Sequence, residues 1–175
     1  MMPAMDPRYP IGKFVFNPHP TADSRRSAIA AIGAFPQELK TVLPTARLDQ
    51  PYREGGWTAR QVVHHLADSH MNAFVRFRLV LTEDRPTLKP YNEAEWAKLA
   101  DARLDPQLSV QILEGLHQRW HAMLLALRDA DFTREGVHAD HGTITIDWLL
   151  QDYAWHGRHH IGHLKLTAAA PAVGA

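Results

Sequence analysis

Four stretches of the chain place apolar side chains at intervals of three and four residues, which is the period of an amphipathic helix. The first begins near Ser24, and the second spans about 58–81. The third follows Asp105, and the fourth spans about 146–166. Four long amphipathic helices and few strand signals predict an all-α protein, folded as a four-helix bundle.

Local signals mark where several of these helices begin or bend. Thr58 and Gln61 form a Thr-x-x-Gln capping box at the start of the second helix. Asp105 precedes Pro106, a residue that is favoured in the first turn of a helix. Pro36 is expected to kink or divide the first helix, because it lacks the N–H of a helical hydrogen bond.

The remaining segments show little helical period. Residues 1–21 contain five prolines and predict an extended arm over the surface, and 167–175 predict a frayed tail. Residues 132–145 contain glycines and lack helical spacing. At 175 residues the chain is expected to form a single domain, 1–175.

Composition excludes several classes of function. The 19 basic side chains balance 19 acidic ones, so no strong field attracts nucleic acid or an anionic membrane. No apolar stretch resembles a signal peptide or a membrane span, and we expect a cytoplasmic protein. Because the chain has no cysteine, it can form neither a disulfide nor a thiolate metal site, and it has no thiol nucleophile.

Histidines are concentrated in two places along the chain. The fourth helix carries His156, His159, His160 and His163 within eight residues, and the second helix carries a further group that includes His65. Histidines four apart on a helix can bind one ion, and a third ligand must come from another segment. Three protein ligands with one open position are typical of a catalytic metal site.

The helical wheel orders these candidates only in part. His156 and His160 lie nearest the apolar stripe of the fourth helix, whereas His159 and His163 lie further away and are interpreted as bystanders. On the second helix the choice between His64 and His65 stays open, with a weak preference for His65. We interpret His70 as a hydrogen-bonded core residue, and His117 with His121 as a pair that lacks a third ligand.

Two carboxylates are candidates for the catalytic role of general base, or for orienting a ligand imidazole. Asp152 lies one turn before His156, and Asp68 lies three residues after His65. The alternative for each is a solvated helix aspartate. Other side chains that could line a pocket are Gln61, Arg76, Tyr153 and Arg158.

Several short motifs occur in order along the chain. They are Tyr-Pro-Ile-Gly-Lys-Phe at 9–14, Tyr-Arg-Glu-Gly-Gly-Trp-Thr at 52–58, Arg-Gln-Val-Val-His-His-Leu-Ala-Asp-Ser-His-Met-Asn at 60–72, Lys-Pro-Tyr at 89–91 and Trp-His-x-x-His-His-Ile at 155–161. In this series the sequence resembles the DinB superfamily, and within it the YfiT group of metal-dependent hydrolases. The resemblance covers most of the chain.

The resemblance implies a metal site and an assembly. The family's ligands fall on His65, His156 and His160, which decides for His65 over His64. It implies a four-helix bundle of this type, one zinc or nickel ion per chain, a small-molecule substrate and a homodimer. Gly157 and Arg158 lie between two ligands, where members of the group can differ, and this bears on substrate choice.

Three classes of function follow from such a site. The first is a metal-dependent hydrolase in which the site activates water. The second is an S-transferase, which the resemblance suggests would use a low-molecular-weight thiol such as bacillithiol, held as a thiolate at the open position. The third is a bundle that binds metal without catalysis.

Overall fold

Four long helices and one short helix dominate the structure, a computed structural model that describes residues 5–168. They are α1 (Ala22–Val42), α2 (Ala59–Thr82), α3 (Glu93–Trp96), α4 (Gln107–Leu125) and α5 (Ile146–Leu166). The predicted fold class, a four-helix bundle, is confirmed, with α1, α2, α4 and α5 as its members. Among the described residues, no helix is both long and apolar enough to span a bilayer.

The bundle does not follow a simple up-and-down order. α1 packs against α4 and α5, and α2 packs against the same two helices. Helices that follow each other along the chain, α1 and α2 or α4 and α5, therefore lie on diagonals of the bundle. This order brings α2 and α5, which carry the histidine groups, into direct contact.

A small sheet, which the helical periodicity did not predict, lies beside the bundle. It contains β1 (Thr87–Leu88), β2 (Glu135–His138) and β3 (Gly142–Thr145), with β1 parallel and β3 antiparallel to β2. Gly142 adopts a φ of +69°, which side chains disfavour, at the turn between β2 and β3. Strands of two to four residues are too short to show a period-two pattern, which explains why the sequence predicted only an absence of helix here.

Helix boundaries follow the local signals closely. The Thr58 side chain accepts a hydrogen bond from Gln61 N, and the Gln61 side chain accepts one from Thr58 N, so the predicted capping box is present. Pro36 lies inside α1, and the helix continues past it to Val42 without a break. Of the two expected outcomes at Pro36, a kink or a division, the division therefore does not occur.

The chain segments at both ends of the bundle pack against it. Phe14 of the arm lies edge-on to Trp148, and Asn17 N donates to Gln151 Oε1 at 2.9 Å, so the arm follows α5. After α5, Ala168 forms a β-bridge with Ala46. The rest of the predicted tail, 169–175, lies outside the described residues.

Two apolar clusters fill the bundle, with a layer of histidines between them. One cluster includes Phe77, Trp120 and Leu150, and the other includes Leu39, Leu113 and Ile161. His70 on α2 and His117 on α4 each contact Trp120 of the first cluster and Phe35 of the second. His156, His160 and His65 continue this layer ring by ring. Buried polar groups are costly unless they are hydrogen-bonded or bind a ligand, so this layer requires an explanation.

Candidate metal centre

Three imidazoles from two helices converge in this layer. His65 of α2 and His156 and His160 of α5 each offer a ring nitrogen, and these nitrogens all lie within 4.8 Å of one another. Nε2 of His65 is 3.3 Å from Nε2 of His156. Two nitrogen ligands of one tetrahedral ion, at bond lengths of ~2.0–2.1 Å, lie about 3.3 Å apart, so the spacing fits a shared metal.

The helices place these rings in a simple way. His156 and His160 occupy successive turns of α5, and their ring centroids are 4.5 Å apart. The His65 ring reaches across from α2, with its centroid 4.8 Å from that of His160. Trp57, two residues before α2, packs against His65 with the ring centroids 4.7 Å apart.

Burial keeps all three imidazoles neutral. It lowers the pKa of His65 to about 3, with a smaller contribution from His163 and His159. Burial also lowers the pKa values of His156 and His160 well below the ordinary value, and the neighbouring histidines add to the effect. Neutral imidazole is the form that binds metals, so the donor set fits a divalent transition ion without any protonation change.

His64 faces away from this site. Its Nδ1 lies 2.7 Å from Ser109 Oγ, and its Nε2 lies 3.2 Å from the carbonyl oxygen of Leu104. Of the two histidines that spacing left open, His65 is the one on the side of α2 that faces α5 and the other two candidate ligands.

His163 contacts a candidate ligand directly. Its Nδ1 lies 3.1 Å from Nδ1 of His160, which leaves Nε2 of His160 available to a metal. The prediction that His163 is not itself a ligand stays a prediction, but the side chain is in contact with a candidate ligand. His159, His160 and His163 also form a second buried set of nitrogens within 4.8 Å of one another, and His160 belongs to both sets.

His70 contacts another ligand. Its Nε2 lies 3.1 Å from Nδ1 of His156, and its Nδ1 lies 2.8 Å from Nε2 of His117. The expectation that His70 is a hydrogen-bonded core residue is confirmed, but its contact with His156 was missed. Spacing along α2 could not reveal it, because the partner lies on α5.

The two candidate carboxylates occupy different places. Asp152 lines a cavity together with His156, whereas Asp68 is not among the residues that line it. Asp68 lies on the side of α2 near Asp101 and His64, where burial and the charge of Asp101 raise its pKa. Among the described residues, neither carboxylate hydrogen-bonds a candidate ligand; the Nδ1 atoms of His156 and His160 are instead contacted by His70 and His163.

The cavity next to His156 has a volume of about 140 Å³. It can hold a few water molecules or the reacting end of a small substrate. The residues that line it include Arg76, Tyr91, Glu93, Asp152, Tyr153 and His156.

Of the four pocket candidates from the sequence, two are placed correctly. Arg76 and Tyr153 line the cavity, and Arg76 Nη1 lies 3.4 Å from the Tyr153 hydroxyl. Gln61 caps α2 and donates to the Ala97 carbonyl, and Arg158 is exposed and donates to the Ala154 carbonyl. Neither of these two lines the cavity, because both point to other sides of their helices.

Burial dominates the electrostatics of the cavity. It raises the pKa of Asp152 to about 7, although the nearby Arg76 guanidinium partly opposes the shift. Burial also raises the pKa of Glu93, again against Arg76. The Arg76 guanidinium therefore lowers the pKa of both Asp152 and Glu93, and Asp152 changes protonation near neutral pH.

Proteins similar in sequence to this chain match it over most of its length. The DinB superfamily profile matches residues 36–164. A protein of Oceanobacillus iheyensis named "Putative metal-dependent hydrolase" is 44% identical over 163 residues, which cover 91% of this chain and 95% of the relative. A protein of Bacillus cereus strain AH820 with the same description is 45% identical over 162 residues, covering 91% and 94%.

A solved structure shows the same architecture. YfiT from Bacillus subtilis, described as "a probable metal-dependent hydrolase with an unusual four-helix bundle topology", matches with a TM-score of 0.87 at 42% identity. The match covers 91% of this chain and 94% of that one. By its sequence, its diagonal helix order and its histidine centre, this chain belongs to the DinB superfamily.

Proposed function

We propose that this protein is a metal-dependent hydrolase of a small-molecule substrate. His65, His156 and His160 would hold one divalent transition ion, zinc or nickel, per chain. The observation that carries the proposal is the convergence of three imidazoles beside a cavity that is also lined by the half-buried carboxylate of Asp152. The names of the relatives above support the same class of reaction.

The ligand set is suited to this chemistry. A divalent ion held by three neutral imidazoles keeps its full charge and lowers the pKa of water at an open fourth position towards ~7. The cavity leaves the side of His156 accessible, so a substrate can approach there.

Asp152 is suited to accept a proton in this cavity. Its pKa of about 7 gives a carboxylate that can take up and release a proton near neutral pH. Burial alone would keep the acid protonated, and Arg76 lowers the pKa from that extreme. Asp152 can thus act as a general base that activates water and then, once protonated, as a general acid for the leaving group.

Arg76 is suited to hold a substrate oxygen. Its Nη2 donates to the Lys89 carbonyl at 2.9 Å, which fixes the guanidinium at the cavity wall. The remaining N–H groups can donate to a carbonyl or carboxylate of the substrate.

Activity of metal-reconstituted protein on a panel of nitrophenyl esters and anilides tests this proposal. We expect turnover with zinc or nickel and none in the metal-free protein. Asp152→Asn should lower kcat by ~10²–10⁴-fold, the usual contribution of a general base. Asp68→Asn is the matched control, and its kcat should stay within about twofold of wild type, because Asp68 lies outside the cavity.

A second assay distinguishes the alternative reaction. Bacillithiol and monochlorobimane are incubated with the same protein. Metal-dependent conjugation without hydrolysis of the panel would replace our proposal with thiol transfer. Bound metal with neither reaction would overturn catalysis in favour of a metal-binding bundle.

A further inference from the structure

We propose that His70 and His117 are positioning residues that fix the ring orientation and the tautomer of His156. Together with the backbone carbonyl of Ile32, these three imidazoles form a series that we call the histidine chain. The inference rests on the metal site of the proposed function but not on its reaction.

The histidine chain crosses the bundle in three short steps. His156 Nδ1 lies 3.1 Å from His70 Nε2, and His70 Nδ1 lies 2.8 Å from His117 Nε2. His117 Nδ1 then lies 2.6 Å from the carbonyl oxygen of Ile32. The chain joins α5, α2, α4 and α1 through one row of hydrogen bonds.

The carbonyl at its end determines every proton position. A carbonyl oxygen can only accept, so His117 must carry its proton on Nδ1 and accept at Nε2. His70 must therefore donate from Nδ1 and accept at Nε2. His156 must then donate from Nδ1, which leaves the lone pair on its Nε2, the atom that faces His65 at 3.3 Å.

The histidine chain is buried, and its contacts account for the ring nitrogens of His70 and His117. These two residues are each 1% exposed. Each of them contacts one neighbour through Nδ1 and another through Nε2, so one nitrogen donates and the other accepts. Burial lowers the pKa of His117 to about 4, against its bond to the Ile32 carbonyl.

Pro36 explains why the Ile32 carbonyl is free. In an α-helix the carbonyl of residue 32 would accept from the N–H of residue 36, but proline has no N–H. The proline that α1 tolerates thus leaves a buried acceptor without a helical partner. His117 satisfies that acceptor, which gives the chain a fixed end.

Aromatic packing holds the rings in place. Phe35 lies 4.9 Å from the His70 ring and 5.1 Å from the His117 ring, measured between centroids. Trp120 packs against the same two histidines at 5.9 and 5.4 Å. These aromatic side chains enclose both imidazoles, and the hydrogen bonds at the two ring nitrogens define which way each ring faces.

The resulting support differs from the common arrangement in which a carboxylate receives the second N–H of a ligand histidine. Here a neutral imidazole receives it, so orientation is supplied without adding a negative charge next to the site. A mutation that breaks such a contact typically weakens metal binding by ~10–100-fold.

Nitrogen NMR of the metal-free, ¹⁵N-histidine-labelled protein at pH 7.5 tests the tautomers without any variant. We expect the Nδ1–H form for His156, His70 and His117. The Nε2–H form at His117 or His70 would overturn the proposal, whether or not the protein is an enzyme.

Metal affinity, measured by competition with a chelator, tests the positioning role. His70→Leu should weaken binding by ~10–100-fold, and His70→Gln should restore most of it, because its amide can accept from His156 and donate to His117. His121→Ala, one turn beyond His117 and outside the chain, is the control and should bind as wild type. Unchanged affinity in His70→Leu would overturn the positioning role.

If His70→Leu does not fold, the same comparison is made between His117→Gln and His117→Leu, at the next residue of the histidine chain. Failure of wild type to bind metal would overturn the proposed function, while the NMR result would still decide the tautomers.

Discussion

The backbone of Gly157 passes so close to Phe35 that a Cβ added at Gly157 would lie 2.7 Å from Cδ2 of that ring. Gly157 lies on α5 directly after His156, and Phe35 lies on α1. The absence of a side chain at this position allows α1 and α5 to approach each other beside the histidine layer. The glycine between two candidate ligands is therefore a packing requirement, which adds a structural reason for a position that the sequence connected only with substrate choice.

Gly157→Ala should lower the free energy of unfolding by roughly 1–3 kcal/mol, because the added methyl group overpacks the contact with Phe35. Gly115→Ala is the control. Gly115 is exposed on α4 and has open space at its Cβ, so alanine there should stabilise the protein by about 0.5–1 kcal/mol. Urea unfolding of both variants gives the comparison. If both variants changed the free energy of unfolding equally and in the same direction, the close approach of Gly157 to Phe35 would be contradicted.

Replacing any one of His65, His156 and His160 with alanine should reduce bound metal from one equivalent per chain to well below half, because two imidazoles are a weak chelate. Elemental analysis after gel filtration measures it. His64→Ala should retain the full equivalent, since His64 bonds Ser109 and the Leu104 carbonyl instead. Full metal content in all three variants would contradict the proposed metal site.

His163→Ala should weaken metal affinity by ~10-fold or more, because it removes the hydrogen-bond partner of His160 Nδ1. His159→Ala removes the neighbouring histidine without breaking that bond, and its affinity should stay near wild type. A chelator competition on both variants checks the prediction. If His159→Ala loses a separate equivalent of metal, the second histidine set binds its own ion and the prediction is wrong.

Asp152 should impose a pH dependence on stability in the metal-free protein. Its folded pKa of about 7 lies above the ordinary value of 3.8. The folded state therefore binds more protons than the unfolded state between these two values, and this group's contribution decreases as pH rises from about 4 to 7. Asp152→Asn lacks this pH-dependent contribution to the free energy of unfolding, and we expect it to be more stable than wild type at pH 8. Thermal unfolding at pH 5 and pH 8 measures the difference, and a constant gap between the two proteins would argue against a raised pKa.

The buried histidines should act in the opposite direction. Their folded pKa values lie below 6.5, at about 3 for His65 and about 4 for His117 and His163. The unfolded state thus takes up more protons as pH falls below 6.5, at up to ~1.4 kcal/mol per pH unit for each group. We expect the metal-free protein to lose stability steeply below pH 6.5, and His117→Gln to show a shallower loss. Denaturant titrations at half-unit pH steps check this, and equal slopes would count against a buried neutral His117.

Much of the fold was readable from local pattern. The capping box of Thr58 and Gln61 placed the start of α2, and apolar spacing gave the extent of α5. The short strands β2 and β3 were not readable, because a four-residue strand carries too little alternation. Pro36, expected to kink or divide α1, does not divide it, because tertiary packing outweighs the loss of one helical hydrogen bond.

The sequence by itself determined the chemistry that this protein can use: abundant imidazole, no thiol, and histidines one turn apart on one helix. Only the tertiary structure decided which histidines meet. His65 faces α5, whereas His64 faces α4. His70 and His117 form hydrogen bonds that cross between helices, and His163 contacts His160 within α5. The physical reason is that helical spacing fixes directions around one axis, whereas the distance between two axes depends on packing contacts such as that of Gly157 with Phe35.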